Sequence, residues 1–192
     1  YVWDAEAWRE LFMLDLQNGH TSGVRDVQWS SNGLLATAGL DGQVKLWDAA
    51  TGAWIQDLSC LAGEDVLPCF RDEGWAVAFD PLGERLAAGG REGRVLVWDL
   101  LSGETVADLR DHTNTVDAIA FSPDSEWLAT GSWDDDVILW RAGDYSLYRR
   151  LAGHTGDVRS VAFAPDSRQL ASTSWDLTAR VWDVVSGRAL YT

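Results

Sequence analysis

A Trp-Asp pair returns along this chain at nearly constant spacing. It stands at Trp3-Asp4, Trp47-Asp48, Trp98-Asp99 and Trp182-Asp183, with Trp140-Arg141 in the same series. The intervals are 44, 51, 42 and 42 residues. Self-similarity at a period of this size marks a fold built from copies of one supersecondary unit, and no copy can bury its apolar face alone. Such a chain works through a repeated surface, so the functional question becomes which part of that surface is used.

Aligned on these pairs, each full unit carries the same series of short alternations. The first is Val24–Trp29, with counterparts at 74–79, 116–121 and 158–163. Apolar side chains at every second position mark a strand with one face against a neighbour. Turn signals follow at Ser31-Asn32-Gly33, Pro81-Leu82-Gly83, Pro123-Asp124-Ser125 and Pro165-Asp166-Ser167. A second alternation, at 34–39, 85–90, 127–132 and 169–174, is rich in Ala, Gly, Ser and Thr, so something packs closely over it. A tight turn leads to a third strand ending on each Trp. A fourth follows at 53–58, 104–109, 145–151 and 188–192. Four short antiparallel strands per 40–45 residues is the pattern of a β-propeller blade.

The chain resembles the WD-repeat β-propeller family. The resemblance rests on Gly19-His20, Gly153-His154 and Asp111-His112, the strand pattern, the small-residue strand, the turn Asp and the terminal Trp-Asp. It implies an all-β fold whose strand after Gly-His lines a central channel and whose strand after Trp-Asp lies outermost. A partial blade is expected at 1–18, with blades at about 19–58, 59–109, 110–151 and 152–192 of one propeller segment. The family most often closes with seven blades, which needs roughly 290 residues at this period. The sequence does not begin with Met, and its fragment-like ends predict either a longer chain or a second copy to supply the remaining blades. The outer strand of the partial blade is expected at 11–16.

The resemblance also implies a hydrogen-bonded tetrad within each blade: His20, Thr37, Asp41 and Trp47; His112, Thr130, Asp134 and Trp140; His154, Ser172, Asp176 and Trp182. A buried polar chain is tolerable when every member is satisfied. Unit two departs, with Ala88 for the hydroxyl and Glu92 for the turn Asp. Its entry, from Ser59 to Gly74, lacks a His and contains Cys60, Pro68 and Cys69. It is expected to form an exposed excursion on one rim, either a partner site or a tolerant loop. The two Cys are not at metal spacing. They read as reduced thiols in a cytoplasmic protein, or as a local disulfide in an exported one.

Composition narrows the function. Net charge is −15, and the basic residues are 14 Arg and one Lys, which opposes phosphate-backbone binding and so nucleic acid. No apolar run approaches the ~18 residues of a membrane span. No nucleophile elbow, dinucleotide-binding glycine pattern or zinc-protease motif is present, and the one Lys follows Val44, so no phosphate loop ends in Gly-Lys. The three His sit at repeat-equivalent positions and read as structural rather than metal-binding. Asp134-Asp135-Asp136 lacks the alternation and terminal Glu of a calcium loop. No cofactor is expected. The reading is a non-catalytic scaffold for a protein or peptide. The alternative is the sensor or regulatory propeller of a larger signalling enzyme, since bacterial relatives of the family often follow a kinase or NTPase module.

In the family, most contacts fall on the channel-rim face. They involve residues flanking the start of the inner strand and the residue just before the turn Asp. Here these are Gly23, Arg25 and Leu40; Glu73, Trp75 and Arg91; Thr115, Asp117 and Trp133; and Asp157, Arg159 and Trp175. Three Trp and three Arg among them match the residue types that dominate interface hot spots. Their alternative role is as fillers between blades.

Overall fold

A computed structural model describes residues 2–7, 9–14, 17–58 and 73–192. The excursion with Cys60, Pro68 and Cys69 lies outside these residues. Every regular element among them is a β-strand, and no helix is long and apolar enough to cross a membrane. A two-stranded sheet, β1 (Val2–Asp4) and β2 (Arg9–Phe12), precedes four sheets of four antiparallel strands. Blade one is β3 (Val24–Trp29), β4 (Leu34–Gly39), β5 (Val44–Asp48) and β6 (Trp54–Asp57). Blade two is β7 (Gly74–Phe79), β8 (Arg85–Gly90), β9 (Val95–Asp99) and β10 (Thr105–Leu109). Blade three is β11 (Val116–Phe121), β12 (Trp127–Ser132), β13 (Val137–Arg141) and β14 (Leu147–Leu151). Blade four is β15 (Val158–Phe163), β16 (Gln169–Ser174), β17 (Ala179–Asp183) and β18 (Ala189–Tyr191).

The first strands β3, β7, β11 and β15 contact one another in series, which makes them the inner strands. The core therefore lies between blades rather than within any one. One cluster joins blades one and two through Leu46, Leu58, Val77, Leu86, Leu96 and Trp98. Blades two and three share Val95, Val97, Val116, Leu128, Ile138 and Trp140. Blades three and four share Val137, Leu139, Val158, Val161, Leu170 and Trp182.

The outer strand of the partial blade runs from Arg9 to Phe12 and so starts earlier than the expected 11–16, of which residues 15 and 16 lie outside the described residues. The cause is Asp4, whose Oδ1 accepts from the amides of Glu6 and Ala7 at 2.9 Å and turns the chain at once. The same device recurs. Asp48 accepts from Ala50, Thr51 N and Thr51 Oγ1, Asp99 from Leu101 and Ser102, and Asp183 from Ser186. The Asp of each Trp-Asp pair thus closes the turn to the outermost strand. Blade three carries Arg141 there, and Asp144 caps Ser146 instead.

The turn between second and third strands needs a left-handed residue in every blade: Gly42, Gly93, Asp135 and Leu177, all at φ 70–75°. Leucine is strained there, by about 1–2 kcal/mol, and Leu177 is 96% exposed, so no packing repays it. Leu177→Gly is expected to stabilise the chain by about 0.5–1 kcal/mol in a denaturant titration, after glycine's greater unfolded-state entropy is deducted. A fall in the unfolding midpoint would contradict this account of the turn.

Candidate functional site

Two polar arrangements occupy the rim where the inner strands begin. The first is a hydrogen-bonded chain inside blades one, three and four. In blade three, His112 Nδ1 lies 2.9 Å from Asp134 Oδ2, and His112 Nε2 lies 2.8 Å from Thr130 Oγ1. Trp140 Nε1 donates to the same hydroxyl at 3.0 Å. Blade one repeats it with His20, Asp41, Thr37 and Trp47, and blade four with His154, Asp176, Ser172 and Trp182. The partners' chemistry assigns the protons. A carboxylate only accepts, so Nδ1 carries hydrogen; the hydroxyl takes the indole N–H and donates to Nε2.

The carboxylate also ties down the loop before the inner strand, because Asp134 accepts from the Thr113 and Asp136 amides. Burial raises the Asp134 carboxyl, but hydrogen bonding from His112 and the two amides outweighs it and holds the group at about 2. Asp41 and Asp176 are also held below the ordinary range, against burial, by the same kinds of partner. A carboxyl whose folded pKa is depressed contributes stability above its unfolded value of 3.8 and loses it as pH falls toward about 2. The melting temperature is therefore expected to drop steeply over that interval, and Asp134→Asn should make the drop shallower. An unchanged acid profile in the variant would refute the assignment.

Ser172, His154 and Asp176 share the connectivity of a hydrolytic triad. Ser172 is 1% exposed, and its Oγ already accepts from Trp182, so no substrate carbonyl can reach it. Blade two holds an apolar substitute: Ala88 packs fully buried with Leu86, Leu96 and Trp98, and Glu92 is exposed. The acidic run is divided among tasks. Asp134 serves His112, Asp135 occupies the left-handed turn, and Asp136 binds Arg150 at 2.8 Å. No group of metal-ligating side chains occurs among the described residues.

The second arrangement is a row of rings crossing from blade to blade. One backbone hydrogen bond in each blade joins the residue before the turn to the loop ahead of the inner strand: Leu40 to Gly23, Arg91 to Glu73, Trp133 to Thr115 and Trp175 to Asp157. This lifts both sets of side chains to the same rim. The Arg25 guanidinium lies 3.6 Å from the Trp75 ring centroid. Trp75 meets Trp133 edge-on at 4.9 Å, and Trp133 stacks on Trp175 at 6.5 Å with a 22° tilt. Arg159 reaches both Trp133 and Trp175, at 5.2 and 4.6 Å, while its Nε pairs with Asp117 at 3.0 Å. Leu40 packs beside Gly23, and Arg91 pairs with Glu73, which also accepts from Trp75 Nε1. Those two residues stand outside the stack.

Below the row, a polar cavity of about 500 Å³ is bounded by Arg25, Asp26, Trp75, Asp117 and Arg159. Asp26 was not legible as a rim residue. Its Oδ2 accepts from the Val77 amide of the next blade, and burial raises its carboxyl. Within the ring row, two buried donors, Trp133 Nε1 and Arg159 Nη1, have no partner among the described residues. The opposite rim is tied blade to blade instead: Asn32 donates to Gly83 O, Arg85 to Ala142 O and Tyr148 to Val185 O.

Comparison with known proteins places this geometry. The family model described as WD domain, G-beta repeat matches residues 12–48, 73–99, 103–141 and 145–183. Nuclear distribution protein nudF of Aspergillus niger is 28% identical over 104 residues, 52% of this chain and 21% of that protein. Anaphase-promoting complex subunit cdh1 of Dictyostelium discoideum is 33% identical over 92 residues, 48% of this chain and 11% of its own. A probable cytosolic iron-sulfur protein assembly protein 1 of Malassezia globosa is 35% identical over 109 residues, 51% of this chain and 29% of its own. The matched region thus spans about a fifth of the length of the first of these relatives.

Proposed function

The chain belongs to the WD domain, G-beta repeat family, and from that premise we propose that it is a non-catalytic scaffold holding a protein or peptide on the rim of Arg25, Trp75, Trp133, Arg159 and Trp175. The observation that carries this is the end of the ring row. Trp175 stacks on Trp133 yet is 65% exposed. A large flat ring held in place costs little conformational entropy on binding. The partner this favours lays an apolar or planar side chain against Trp175 and brings a carboxylate to the exposed Arg25. A net charge of −15 disfavours nucleic acid. It does not bar one local carboxylate, because surface charges are screened beyond about 8 Å at physiological salt.

The His networks act as struts that hold the rim loops at a fixed height. We place the protein in the cytoplasm with Cys60 and Cys69 reduced, in keeping with a relative whose name is cytosolic. The test is affinity capture by the natural chain and by Trp175→Ala at equal concentrations of folded protein. Loss of the captured partner in the variant supports the reading, and equal capture refutes it.

A further inference from the structure

Arg141 reverses the charge that the repeat carries at the close of its third strand. Asp48, Asp99 and Asp183 occupy the equivalent place, and each spends its carboxylate on the turn that follows. Arginine has no acceptor, and the turn of blade three passes to Asp144, which accepts from the amide and hydroxyl of Ser146 at 3.0 and 2.7 Å. The guanidinium is thereby left free of the turn. Arg9, Arg91, Arg94, Arg110, Arg150 and Arg159 each pair with a carboxylate, whereas Arg141 pairs with none among the described residues.

What Arg141 meets is aromatic. Its guanidinium lies 4.8 Å from the Tyr148 ring centroid and 5.5 Å from that of Trp127, its cross-strand partner. The two rings meet each other at 4.6 Å. Tyr148 donates its hydroxyl to Val185 O of blade four at 2.9 Å. Arg149 stands 5.3 Å from the same ring, and the turn of blade four closes over its stem, where a Cβ on Gly187 would overlap Arg149 Cδ. Strand pairing and the neighbouring blade thus fix the rings, while Arg141 and Val185 stay exposed. Blade three packs between blades two and four, so this is the outer surface of a completed junction. It lies on the rim opposite the Trp row.

We propose that Arg141, Trp127, Tyr148 and Val185 form a second docking surface, for an extended acidic peptide of a further partner protein. An Asp or Glu of that peptide sets its carboxylate on Arg141, and an apolar neighbour lies on Tyr148 and Val185. A guanidinium held over ring faces keeps its N–H edge for a planar acceptor with two oxygens, and little freedom is lost when one arrives. A carboxylate matches its single charge, whereas a phosphate backbone calls for several cations together. On a chain of net charge −15, an exposed cation without a carboxylate is complementary to a ligand from outside. An isologous pairing of two copies through this patch would set Arg141 and Arg149 against their own counterparts, which like charge opposes. The surface is independent of the Trp rim and of the partner proposed there.

The test selects a displayed library of random peptides on the 192-residue chain and measures the enriched peptides by calorimetry. Peptides with Asp or Glu beside an apolar residue should be enriched. They should bind Arg141→Asp about tenfold or more weakly, and their Gln-substituted forms should lose affinity alike. Arg141→Asp restores the residue that the other three blades carry, so its melting temperature should not fall. Trp175→Ala should bind these peptides as the natural chain does. The proposal is overturned if no acidic peptide is enriched, or if acidic peptides bind Arg141→Asp as tightly as the natural chain. Loss of binding in Trp175→Ala alone would move the ligand to the Trp rim and overturn it too. So would self-association in equilibrium sedimentation that Arg141→Asp abolishes, since the patch would then belong to a second copy.

Discussion

Asp134→Ala is expected to lower the unfolding free energy by about 3 kcal/mol, and Glu92→Ala by less than about 0.5 kcal/mol. The two residues hold equivalent places in their blades. Asp134 receives the His112 ring and two loop amides, and its side chain is only 7% exposed. Removing it strands three donors under the rim and frees the imidazole to leave Thr130, whose hydroxyl also serves the buried Trp140 indole. Glu92 is exposed in a blade where alanine occupies the hydroxyl position. Denaturant titration of both variants reads the difference directly. Equal losses would mean that the His chains are incidental and that inter-blade packing alone holds the rim.

Trp175→Ala is expected to weaken partner binding about 30-fold or more, equivalent to a hot-spot loss of about 2 kcal/mol. Stability should fall by no more than about 1 kcal/mol, the worth of one ring-ring contact. Trp133→Ala should cost both, because that ring lies between Trp75 and Trp175 and its indole nitrogen is buried. Leu101→Ala, 96% exposed in the turn after Asp99, should change neither. Titration of the captured partner against the three variants, with a thermal melt of each, separates a docking ring from a filler. If Trp175→Ala lowers the melting temperature as much as Trp133→Ala and leaves affinity unchanged, the ring is packing.

The small-residue strands at 34–39, 85–90, 127–132 and 169–174 are found at those residues, because alternation and flanking turns both bound them. The outer strands were harder to read. Their starts depend on whether an Asp side chain caps the turn, and Arg141 breaks the pattern in blade three while Asp144 restores it two residues before Ser146. The His, hydroxyl, Asp and Trp of each network were implied by the family resemblance and could be assigned repeat by repeat, since all four side chains come from one blade. The ring row could be located but not ordered. Its contacts run between blades, so which Trp is sandwiched and which is free depends on inter-blade geometry that no single repeat encodes. Asp26 escaped for the same reason, its partner being the Val77 amide of the next blade.

Hydrogen exchange on the chain with and without its captured partner tests the scaffold reading most directly. Protection is expected at the starts of the inner strands, 23–27, 73–77, 115–119 and 157–161, and at the turns carrying Trp133 and Trp175. The opposite rim, 81–84, 101–104 and 143–146, should exchange as before. Protection confined to that opposite rim, with the Trp rim unchanged, would contradict the account.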